Sequence, residues 1–491
     1  MVRTHRGEIV IAQREAALDD PHLNIDNRDR LGLRFAVYDA LVRRSNGGDF
    51  EPALATSWTL ASDARTWEFT IRPDVRFHDG STLAAEVVAE SLERARDPRR
   101  DGEFATQGIY QSYLADARIE PRGSNRLTIV TACPMADLLD LLVELPITGQ
   151  RRDGASGLPC GTGPYRVESS STGSVRMASF AEYWDQHVGN HTLHWMAEPD
   201  AVRRLELLHD GEAEIISGVP CPSRQAAADD ERFLLTTSPS STCVVFICNA
   251  ASGPCCDPRV RRALNFALDM KAVIYAAGVD GATPISGPLT PLHFGYDPET
   301  PAYEYSPNAA RALLKEAGFK DGIQLTLDIP TVMPDEAPRL ARVMVSHYAR
   351  VGIDARVREF HDRPGYAKIV RDKAIDDACC FDSTPLSTYR VLREKLYGGV
   401  DGPWRQGYQN PLVDALIDQA AATPVTRDRQ RLYRQAYRSI RDDAPWIFLY
   451  SPLLTWASAS GLSWQPSPGG FVQFTRHESE SSRSRVRIGP R

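Results

Sequence analysis

The chain has 491 residues, of which 42% are apolar and 25% are charged, so it is globular and too long for a single hydrophobic core. About three domains are expected from a chain of this length. Its 57 Lys and Arg residues against 64 Asp and Glu residues leave a net charge of -7, the wrong sign for a nucleic-acid partner or an anionic membrane.

The first residues of the chain do not have the pattern of a secretory leader. Residues 1–6 are basic, but the apolar stretch that follows, residues 9–12, is much shorter than the core of a signal peptide. The richest apolar stretch, residues 138–145, contains Asp140 and Glu144 and is too short to span a bilayer. The sequence as given therefore predicts neither export nor a membrane span.

Apolar residues in the first half of the chain recur at the spacings of strands and helices. Asp79-Gly80 predicts a tight turn, and Ser81 or Thr82 would cap the helix that follows it. A loop rich in Gly, Ser and Pro over residues 149–164 predicts a domain boundary. The predicted elements are a strand over residues 7–12, a helix over 30–43, a strand over 66–71, a helix over 81–95 and a strand over 127–131.

The second half predicts an α/β lobe, because strands alternate with helices over about 200 residues. A long helix is expected over residues 258–277, with Asp257 as its N-cap and Pro258 at its first position. The tail after residue 474 is rich in Ser, Arg and Glu and is expected to be disordered. The other predicted elements are strands over residues 243–248, 323–329, 355–360 and 446–450, and helices over 308–317, 337–351, 411–421 and 427–444.

Motifs of the common enzyme classes are absent from the sequence, which has no GxxxxGK[ST], HExxH, GxSxG or GxGxxG pattern. His187, His191 and His194 would share one face of a helix, but Gly189 and Asn190 favour a surface turn over a zinc site. The nine cysteines are odd in number, lack a CxxC pair and fit buried apolar positions better than disulfides or metal ligands. We therefore predict no catalytic residue, no metal site and no cofactor.

A Gly-rich stretch late in the chain carries large side chains that a loop cannot bury in a core. The residues concerned are Trp404, Arg405, Tyr408 and, earlier in the stretch, Tyr389 and Arg390. Aromatic residues on loops often line binding sites, but they can also cover the surface of a lobe. Both interpretations stay open at this point.

Four ordered blocks of sequence resemble the extracytoplasmic solute-binding proteins of ABC importers for oligopeptides, dipeptides and nickel complexes (solute-binding protein family 5). The first block is Glu51-Pro-Ala-Leu-Ala-Thr-Ser-Trp58 together with residues 67–87. The blocks together span residues 8–474, and their order makes the resemblance specific. The other three blocks are Gly161-Thr-Gly-Pro-Tyr165 with Tyr183-Trp184, residues 257–269 with 310–319, and residues 410–417 with 442–452.

The resemblance implies an α/β fold of the periplasmic-binding-protein type (type II, cluster C), with two lobes, a hinge and an extra inserted domain. The expected function is to capture a peptide or another small polar solute between the lobes by hinge closure, and to deliver it to the permease and ATPase subunits of an ABC importer. Neither an enzymatic step nor a cofactor is implied, and a monomer is expected. The expected parts are lobe I over residues 7–46, 165–245 and 450–475, domain II over 47–164, lobe III over 246–449, and a disordered tail over 476–491.

The resemblance implies a periplasmic or otherwise extracytoplasmic location, whereas the sequence as given has no signal peptide. A truncated start would reconcile the two. The alternative is a cytoplasmic relative of the same fold that acts on a small molecule as an enzyme or a ligand sensor, with Cys379 or Cys380 as the nucleophile. An interaction scaffold without a small ligand is a third hypothesis.

Peptide-binding members of this family usually carry a segment that ends Ala-Asp-Tyr-x-x-Pro, in which the Asp binds the amino group of the ligand. Residues 377–385 are the nearest match; aligned on Pro385, the Asp position falls on Phe381, next to Asp382. Aligned on residues 375–376, it shifts by several residues, and the ligand stays open among a peptide, a metal complex, an opine and a sugar derivative. The residues predicted to line the cleft are Asn249, Cys379, Cys380, Phe381, Asp382, Trp404 and Tyr408.

Overall fold

The computed structural model describes residues 7–23, 26–45, 47–98, 109–149, 158–185, 191–400, 402, 404–462, 464–467 and 469–474. The tail over residues 476–491, predicted to be disordered, lies outside the described residues, as do residues 150–157 of the predicted boundary loop.

The strands of the described part are β1 (Glu8–Gln13), β2 (Val42–Arg44), β3 (Phe50–Pro52), β4 (Ala55–Leu60), β5 (Thr66–Ile71), β6 (Arg118–Arg122), β7 (Arg126–Val130), β8 (Tyr165–Ser171), β9 (Ser174–Ser179), β10 (Thr192–Ala197), β11 (Ile215–Ser217), β12 (Phe233–Ser238), β13 (Cys243–Cys248), β14 (Thr283–Pro284), β15 (Ile323–Pro330), β16 (Ile353–Phe360), β17 (Ala378–Ser383), β18 (Trp446–Ser451) and β19 (Leu454–Ala459).

The α-helices of the described part are α1 (Arg28–Val37), α2 (Ala85–Ala95), α3 (Ile109–Leu114), α4 (Leu138–Leu142), α5 (Ala201–Asp210), α6 (Arg224–Asp229), α7 (Pro258–Phe266), α8 (Met270–Ala277), α9 (Pro307–Glu316), α10 (Ala337–Ala349), α11 (Arg363–Arg371), α12 (Thr388–Lys395), α13 (Pro411–Ala421) and α14 (Thr426–Asp443).

A seven-stranded sheet joins the beginning of the chain to its middle and its end. Its strand order is β12-β19-β11-β1-β10-β9-β8, with β1 parallel to both β10 and β11. Successive side chains of a strand point to opposite faces, and β1 buries Ile9 and Ile11 in one core and Val10 and Ala12 in another. The sheet is therefore covered on both faces at its centre.

A six-stranded sheet with the order β14-β18-β13-β17-β15-β16 forms the second lobe. β17 is antiparallel to β13 and parallel to β15, so it lies inside the sheet. The predicted boundaries after residues 245 and 449 fall inside β13 and β18, which both belong to this sheet. Because a hydrogen-bonded strand moves with its sheet, the chain crosses between the two lobes at residues 239–242 and 452–453 instead.

A four-stranded antiparallel sheet with the order β4-β5-β7-β6 forms the smallest part. The core beneath it is continuous with that of the helices α13 and α14, since Leu142 and Ile417 belong to the same cluster of buried side chains. The Tyr433 hydroxyl also donates a hydrogen bond to Asp137 at 2.6 Å. The four-stranded part is thus held against the helices of the second lobe.

The first predicted helix differs from the structure at its C-terminal end. Asn27 caps α1 by accepting hydrogen bonds from the backbone N–H groups of Asp29 and Arg30. The helix then ends at Val37, well before residue 43, because the next residues are extended and β2 pairs with β3. The carboxylate of Asp39 holds this extended stretch by accepting a hydrogen bond from Trp184 Nε1 at 2.9 Å.

Two other predicted helices also have different bounds. α2 begins at Ala85 rather than near Ser81, because the Ser81 hydroxyl donates to Asp79 at 2.6 Å instead of capping the helix. The helix predicted over residues 258–277 is divided into α7 and α8, since Asp269 accepts hydrogen bonds from two backbone N–H groups and begins a new helix. The strands β5 and β13 and the helix α13 have the predicted bounds.

Membrane insertion through a helix finds no support in the fold. Among the helices of the described residues, none combines the length and the apolar character that crossing a bilayer requires.

Candidate ligand-binding cleft

A first cavity, of about 250 Å³, lies where the three parts of the molecule meet. Its walls come from Arg28 of α1, from Glu144 of the four-stranded part and from Thr384, which follows β17 in the second lobe. Trp184 and Phe471 add aromatic surface to it. A solute in this cavity would therefore contact all three parts at once.

The charged groups of the first cavity are mostly neutralised by one another. Arg43 pairs with Asp185 at 2.9 Å, and Arg44 pairs with Asp140. Burial raises the pKa of Asp39 to about 6, and the hydrogen bonds that it accepts partly oppose the rise. The cavity therefore offers aromatic surface and paired charges rather than an excess of either sign.

A second cavity, of about 800 Å³, lies beside the first, between the seven-stranded lobe and the six-stranded lobe. Gln13 and Ser217 of the first lobe and Arg339 of the second are among its lining residues. Arg28 and Phe471 line both cavities and therefore form the wall between them.

Polar contacts between the lobes hold the second cavity closed at its rim. The guanidinium of Arg14 pairs with Asp335 at 2.7 Å, and Arg224 donates to the backbone carbonyl of Asp280 at 2.6 Å. In each of these contacts one partner belongs to the seven-stranded lobe and the other to the six-stranded lobe. The structure thus represents a form in which the lobes touch.

Arg390 of α12 joins the three parts through one buried guanidinium, which is only 1% exposed. It pairs with Asp26 at 3.1 Å, with Glu144 at 2.9 Å and with Glu394 at 3.0 Å. Burial by itself would lower the pKa of Arg390, but the three carboxylates raise it well above its usual value. Arg390 is therefore a permanently charged link at the back of the first cavity.

The guanidinium of Arg28 is held by neutral groups. Its Nη2 atom donates to the hydroxyls of Ser240, Ser241 and Thr242 at 3.0, 3.1 and 2.8 Å. Burial lowers the pKa of Arg28 to about 10, and the charge of Asp382 opposes that change. Arg28 remains a cation at neutral pH without a directly bonded counter-ion.

Asp382 lies near the end of β17, opposite Val244 of β13, and its side chain is half-buried. Burial raises the pKa of its carboxyl group, while the charges of Arg363, Lys395 and Arg28 lower it. No other residue of the described part forms a hydrogen bond or an ion pair with this carboxylate. Asp382 does not line either of the two cavities in this structure.

Lys395 ends α12 and is 5% exposed. Its ammonium lies 3.5 Å from the centre of the Trp404 ring, a cation–π contact, and the Phe381 ring meets that of Trp404 at 4.7 Å. Within the described residues its ammonium has no hydrogen-bond or ion-pair partner. Burial lowers the pKa of Lys395 to about 8. Like Asp382, Lys395 lines neither of the two cavities.

Three of the predicted cleft residues come together in the structure. Trp404 contacts both Phe381 and Lys395, and the charge of Lys395 acts on Asp382; Phe381, Asp382 and Trp404 line neither cavity. The alternation of β17 separates the two neighbours in sequence, since Phe381 lies opposite Val245 and packs on the core while Asp382 faces the cations.

The other four predicted residues have structural surroundings. Cys379 and Cys380 are fully buried, one in each of the two cores that flank β17, because adjacent residues of a strand face opposite ways. The Tyr408 hydroxyl donates to Asp443 at 2.9 Å beneath the loop surface. Asn249 caps a turn by accepting hydrogen bonds from the backbone of residues 251 and 252. None of these side chains is at the cleft in this structure.

Four charged residues of the site were not predicted from the sequence, namely Asp26, Arg28, Glu144 and Lys395. A signal existed for Arg28, because a basic residue at the first position of a helix opposes the helix dipole and suggests another role. Tyr389 and Arg390 were predicted to lie in a loop-like stretch, and this prediction is wrong because both belong to α12. The helical spacing of Arg390, Glu394 and Lys395 is the signal that could have identified this helix.

The surroundings of the thiols and histidines favour neither a cysteine nucleophile nor a metal site. Burial raises the pKa values of Cys379 and Cys380 well above the usual thiol range, which opposes the thiolate that a nucleophile requires. Among the described residues, no three His, Cys, Asp or Glu side chains are grouped as metal ligands. His194 shares a hydrogen bond of 2.9 Å with Ser174, and His187 lies outside the described residues.

Known proteins share both the sequence and this architecture. Residues 49–377 match the family described as bacterial extracellular solute-binding proteins, family 5 (middle). The chain belongs to this family. The match covers more than half of the chain, and the resemblance inferred from the four sequence blocks is confirmed.

Individual relatives extend the likeness of this family 5 protein to nearly its whole length. The glutathione-binding protein GsiB of Pectobacterium atrosepticum is 28% identical over 426 residues, which are 84% of this chain and 82% of GsiB. HbpA2 of Haemophilus parasuis superposes with a TM-score of 0.81 at 22% identity, over 95% of this chain and 98% of its own. The ABC transporter-associated periplasmic binding protein DppA of Helicobacter pylori, in complex with the peptide STSA, has a TM-score of 0.78 at 20% identity, over 95% and 96%.

These comparisons decide between the interpretations drawn from the sequence. The α/β fold of a periplasmic binding protein is confirmed, and so is the general function of a solute-binding protein. The alternative of a cytoplasmic enzyme or ligand sensor is not favoured, since members of this family bind solutes and the family is extracellular.

Proposed function

We propose that this solute-binding protein captures a small solute carrying both an ammonium and a carboxylate group, such as a short peptide or a peptide-like thiol, between its lobes. Asp382 supports this proposal more than any other group. Its carboxylate is subject to the charges of Arg28, Arg363 and Lys395 and forms no hydrogen bond or ion pair with any other described residue. A solute ammonium would complete its coordination by a charge-assisted hydrogen bond.

The cations around Asp382 supply the second half of this recognition. The charges of Arg28, Arg363 and Lys395 act on Asp382 and favour its ionised form. A carboxylate on the same solute would be attracted by these cations. The Trp404 and Phe381 rings, and the aromatic surface of the first cavity, can pack against the apolar parts of the solute.

The relatives support this class of solute. The name of GsiB describes a glutathione-binding protein, and the DppA structure contains the peptide STSA. Both ligands have an ammonium and at least one carboxylate. Glutathione and short peptides are therefore the first probes to use.

The division of the chain into two lobes and a smaller domain provides a mechanism for solute capture by hinge closure. Lobe I carries the seven-stranded sheet, domain II the four-stranded sheet and lobe III the six-stranded sheet. Two connections, at residues 239–242 and 452–453, would act as the hinge. A solute that contacts both lobes shifts the population toward the closed form, which a permease can then recognise. We include in the proposal that the protein acts as a monomer outside the cytoplasm and without an enzymatic step.

Native mass spectrometry of the freshly purified protein tests the proposal, because a closed two-lobed receptor can retain its solute through purification. We expect an additional mass that is lost on denaturation and that corresponds to a peptide or to a peptide-like thiol. If the purified protein carries no additional mass, isothermal titration with glutathione and with mixed dipeptides tests the proposal instead. Failure of all of these probes to bind would contradict the proposed solute class.

The pH dependence of solute binding should show the loss of the proton from the Lys395 ammonium. Burial lowers the pKa of Lys395 to about 8, so its ammonium loses its proton as the pH rises through that value and its attraction for a carboxylate disappears. We expect the affinity for S-methylglutathione to fall by about tenfold between pH 7 and pH 9. This fall corresponds to the loss of one charge-assisted hydrogen bond.

Isothermal titration over this pH range checks the prediction. In Lys395→Met the affinity should be low throughout and this part of the pH dependence should vanish, while Lys368→Met, whose side chain is 70% exposed on α11, should behave like the wild type. The same pH dependence in wild type and Lys395→Met would show that another group is responsible.

A further inference from the structure

The second cavity is lined by arginines whose charges are not neutralised. Five arginines and only two aspartates line its 800 Å³. The aspartates are Asp29 and Asp280, and burial raises the pKa of Asp29 to about 6. Of the five arginines, Arg14 is paired with a carboxylate, that of Asp335. The arginines without a carboxylate in ion-pair contact, among the described residues, are Arg28, Arg204, Arg224 and Arg339.

Neutral oxygens hold three of these four guanidiniums, those of Arg28, Arg204 and Arg224, in place. Arg204 is 5% exposed and donates to the backbone carbonyls of residues 217, 198 and 199 at 2.8, 2.6 and 3.0 Å. Arg224 donates to two further carbonyls, and Arg28 donates to three hydroxyls. A carbonyl or hydroxyl fixes the position of a guanidinium without removing its charge. The arrangement is therefore rigid and still electropositive.

Such a cavity attracts anions more strongly than an open surface would. Several cations around a concave, half-open cavity raise the local potential, and the low dielectric of the walls reduces screening. Guanidiniums also match the planar, bidentate geometry of carboxylate and phosphate groups. A single carboxylate would leave most of the positive charge unopposed, so a group with at least two negative charges fits better.

We propose that the second cavity binds a polyanionic group, with two or more carboxylates or a phosphate, as one end of the solute whose ammonium is bound by Asp382. This inference rests on the proposed function and narrows its solute class. Arg28 connects the two cavities, because it is a lining residue of both. The solute would extend past Arg28 into the second cavity.

Isothermal titration of the full chain with citrate tests the cavity itself. We expect citrate to bind, acetate to bind far more weakly, and Arg339→Gln and Arg224→Gln each to weaken citrate by about tenfold. Arg122→Gln is the matched control, since the Arg122 side chain is 61% exposed on β6 of the four-stranded sheet. Citrate binding that is unchanged in Arg339→Gln and Arg224→Gln, or absent in the wild type, overturns the inference.

A second titration, with glutathione, determines whether the anion belongs to the transported solute. Glutathione carries one ammonium and two carboxylates, so both Asp382→Asn and Arg339→Gln should weaken it, whereas Asp382→Asn should leave citrate unchanged. If glutathione responds to Asp382→Asn but not to Arg339→Gln, the proposed function stands and this inference fails. If citrate responds to Arg339→Gln but no amine-bearing solute responds to Asp382→Asn, the cavity binds a free anion, and the proposed function and the single-solute inference both fail.

Discussion

Replacing Asp382 by Asn should weaken the binding of an amine-bearing solute by about 2–5 kcal/mol, which is at least about thirtyfold in the dissociation constant. The substitution keeps the shape of the side chain but removes the charge that faces the solute ammonium. It also leaves Arg28, Arg363 and Lys395 without their nearby carboxylate, so the site repels a cation outright.

The fold should tolerate this substitution. Asp382 donates to and accepts from no other described side chain, and burial already disfavours its ionised form. Isothermal titration with glutathione measures the loss, and thermal unfolding without ligand measures stability. Asp354→Asn, on β16 of the same sheet with a side chain 62% exposed, is the matched control and should bind normally. Unchanged affinity in Asp382→Asn would remove Asp382 from the site.

Replacing Arg390 by Met should destabilise the closed form by about 3–5 kcal/mol, because Asp26, Glu144 and Glu394 would be left buried without their shared cation. Asp26 belongs to lobe I and Glu144 to domain II, so their repulsion would also push these parts away from α12. We expect a larger radius of gyration by small-angle X-ray scattering and a lower unfolding temperature.

Arg393→Met tests whether the effect belongs to this position. Arg393 lies on the same helix, but its side chain is partly exposed and pairs with Asp418 of the neighbouring helix α13, within one lobe. That variant should retain the compact form, and Arg390→Lys should recover part of it through its remaining charge. A compact and stable Arg390→Met protein would contradict the role of Arg390 as the link.

Acidification should partly rescue Arg390→Met. In the wild type burial raises the pKa of Asp26, but Arg390 and other cations lower it below its ordinary value. Its contribution to stability is therefore present above the unfolded pKa and is lost as the pH falls through the folded pKa. Without Arg390 the folded pKa rises instead, so protonation relieves the buried charge and the deficit relative to wild type shrinks as the pH falls.

The regular elements were accessible to sequence reasoning wherever a local pattern is decisive. The period-two alternation of Thr66–Ile71 and the apolar run of Cys243–Cys248 identified β5 and β13, and the amphipathic pattern of residues 411–421 identified α13. The predicted boundaries were wrong where a side chain forms hydrogen bonds that the sequence pattern does not show. Asp269, for example, caps a new helix inside a continuous helical pattern.

The site was less accessible because its members come from distant parts of the chain. The segment Cys379-Cys380-Phe381-Asp382 was recognised as a candidate, but only the pairing of β17 with β13 decides which of these side chains enter the cores and which faces the cations. A shift of one residue in that register would exchange the surroundings of Phe381 and Asp382.

The sequence by itself determined the class of fold, most of the strands and helices, the family and the general function of solute binding. These follow from hydrophobic periodicity, capping residues and ordered motifs, which act over a few residues at a time. The tertiary structure alone decided that Arg390 links Asp26 and Glu144 across 364 and 246 residues of chain, and that Arg28 separates two cavities of different charge. Electrostatic and packing interactions depend on distance in space, and that distance is set only when the lobes come together.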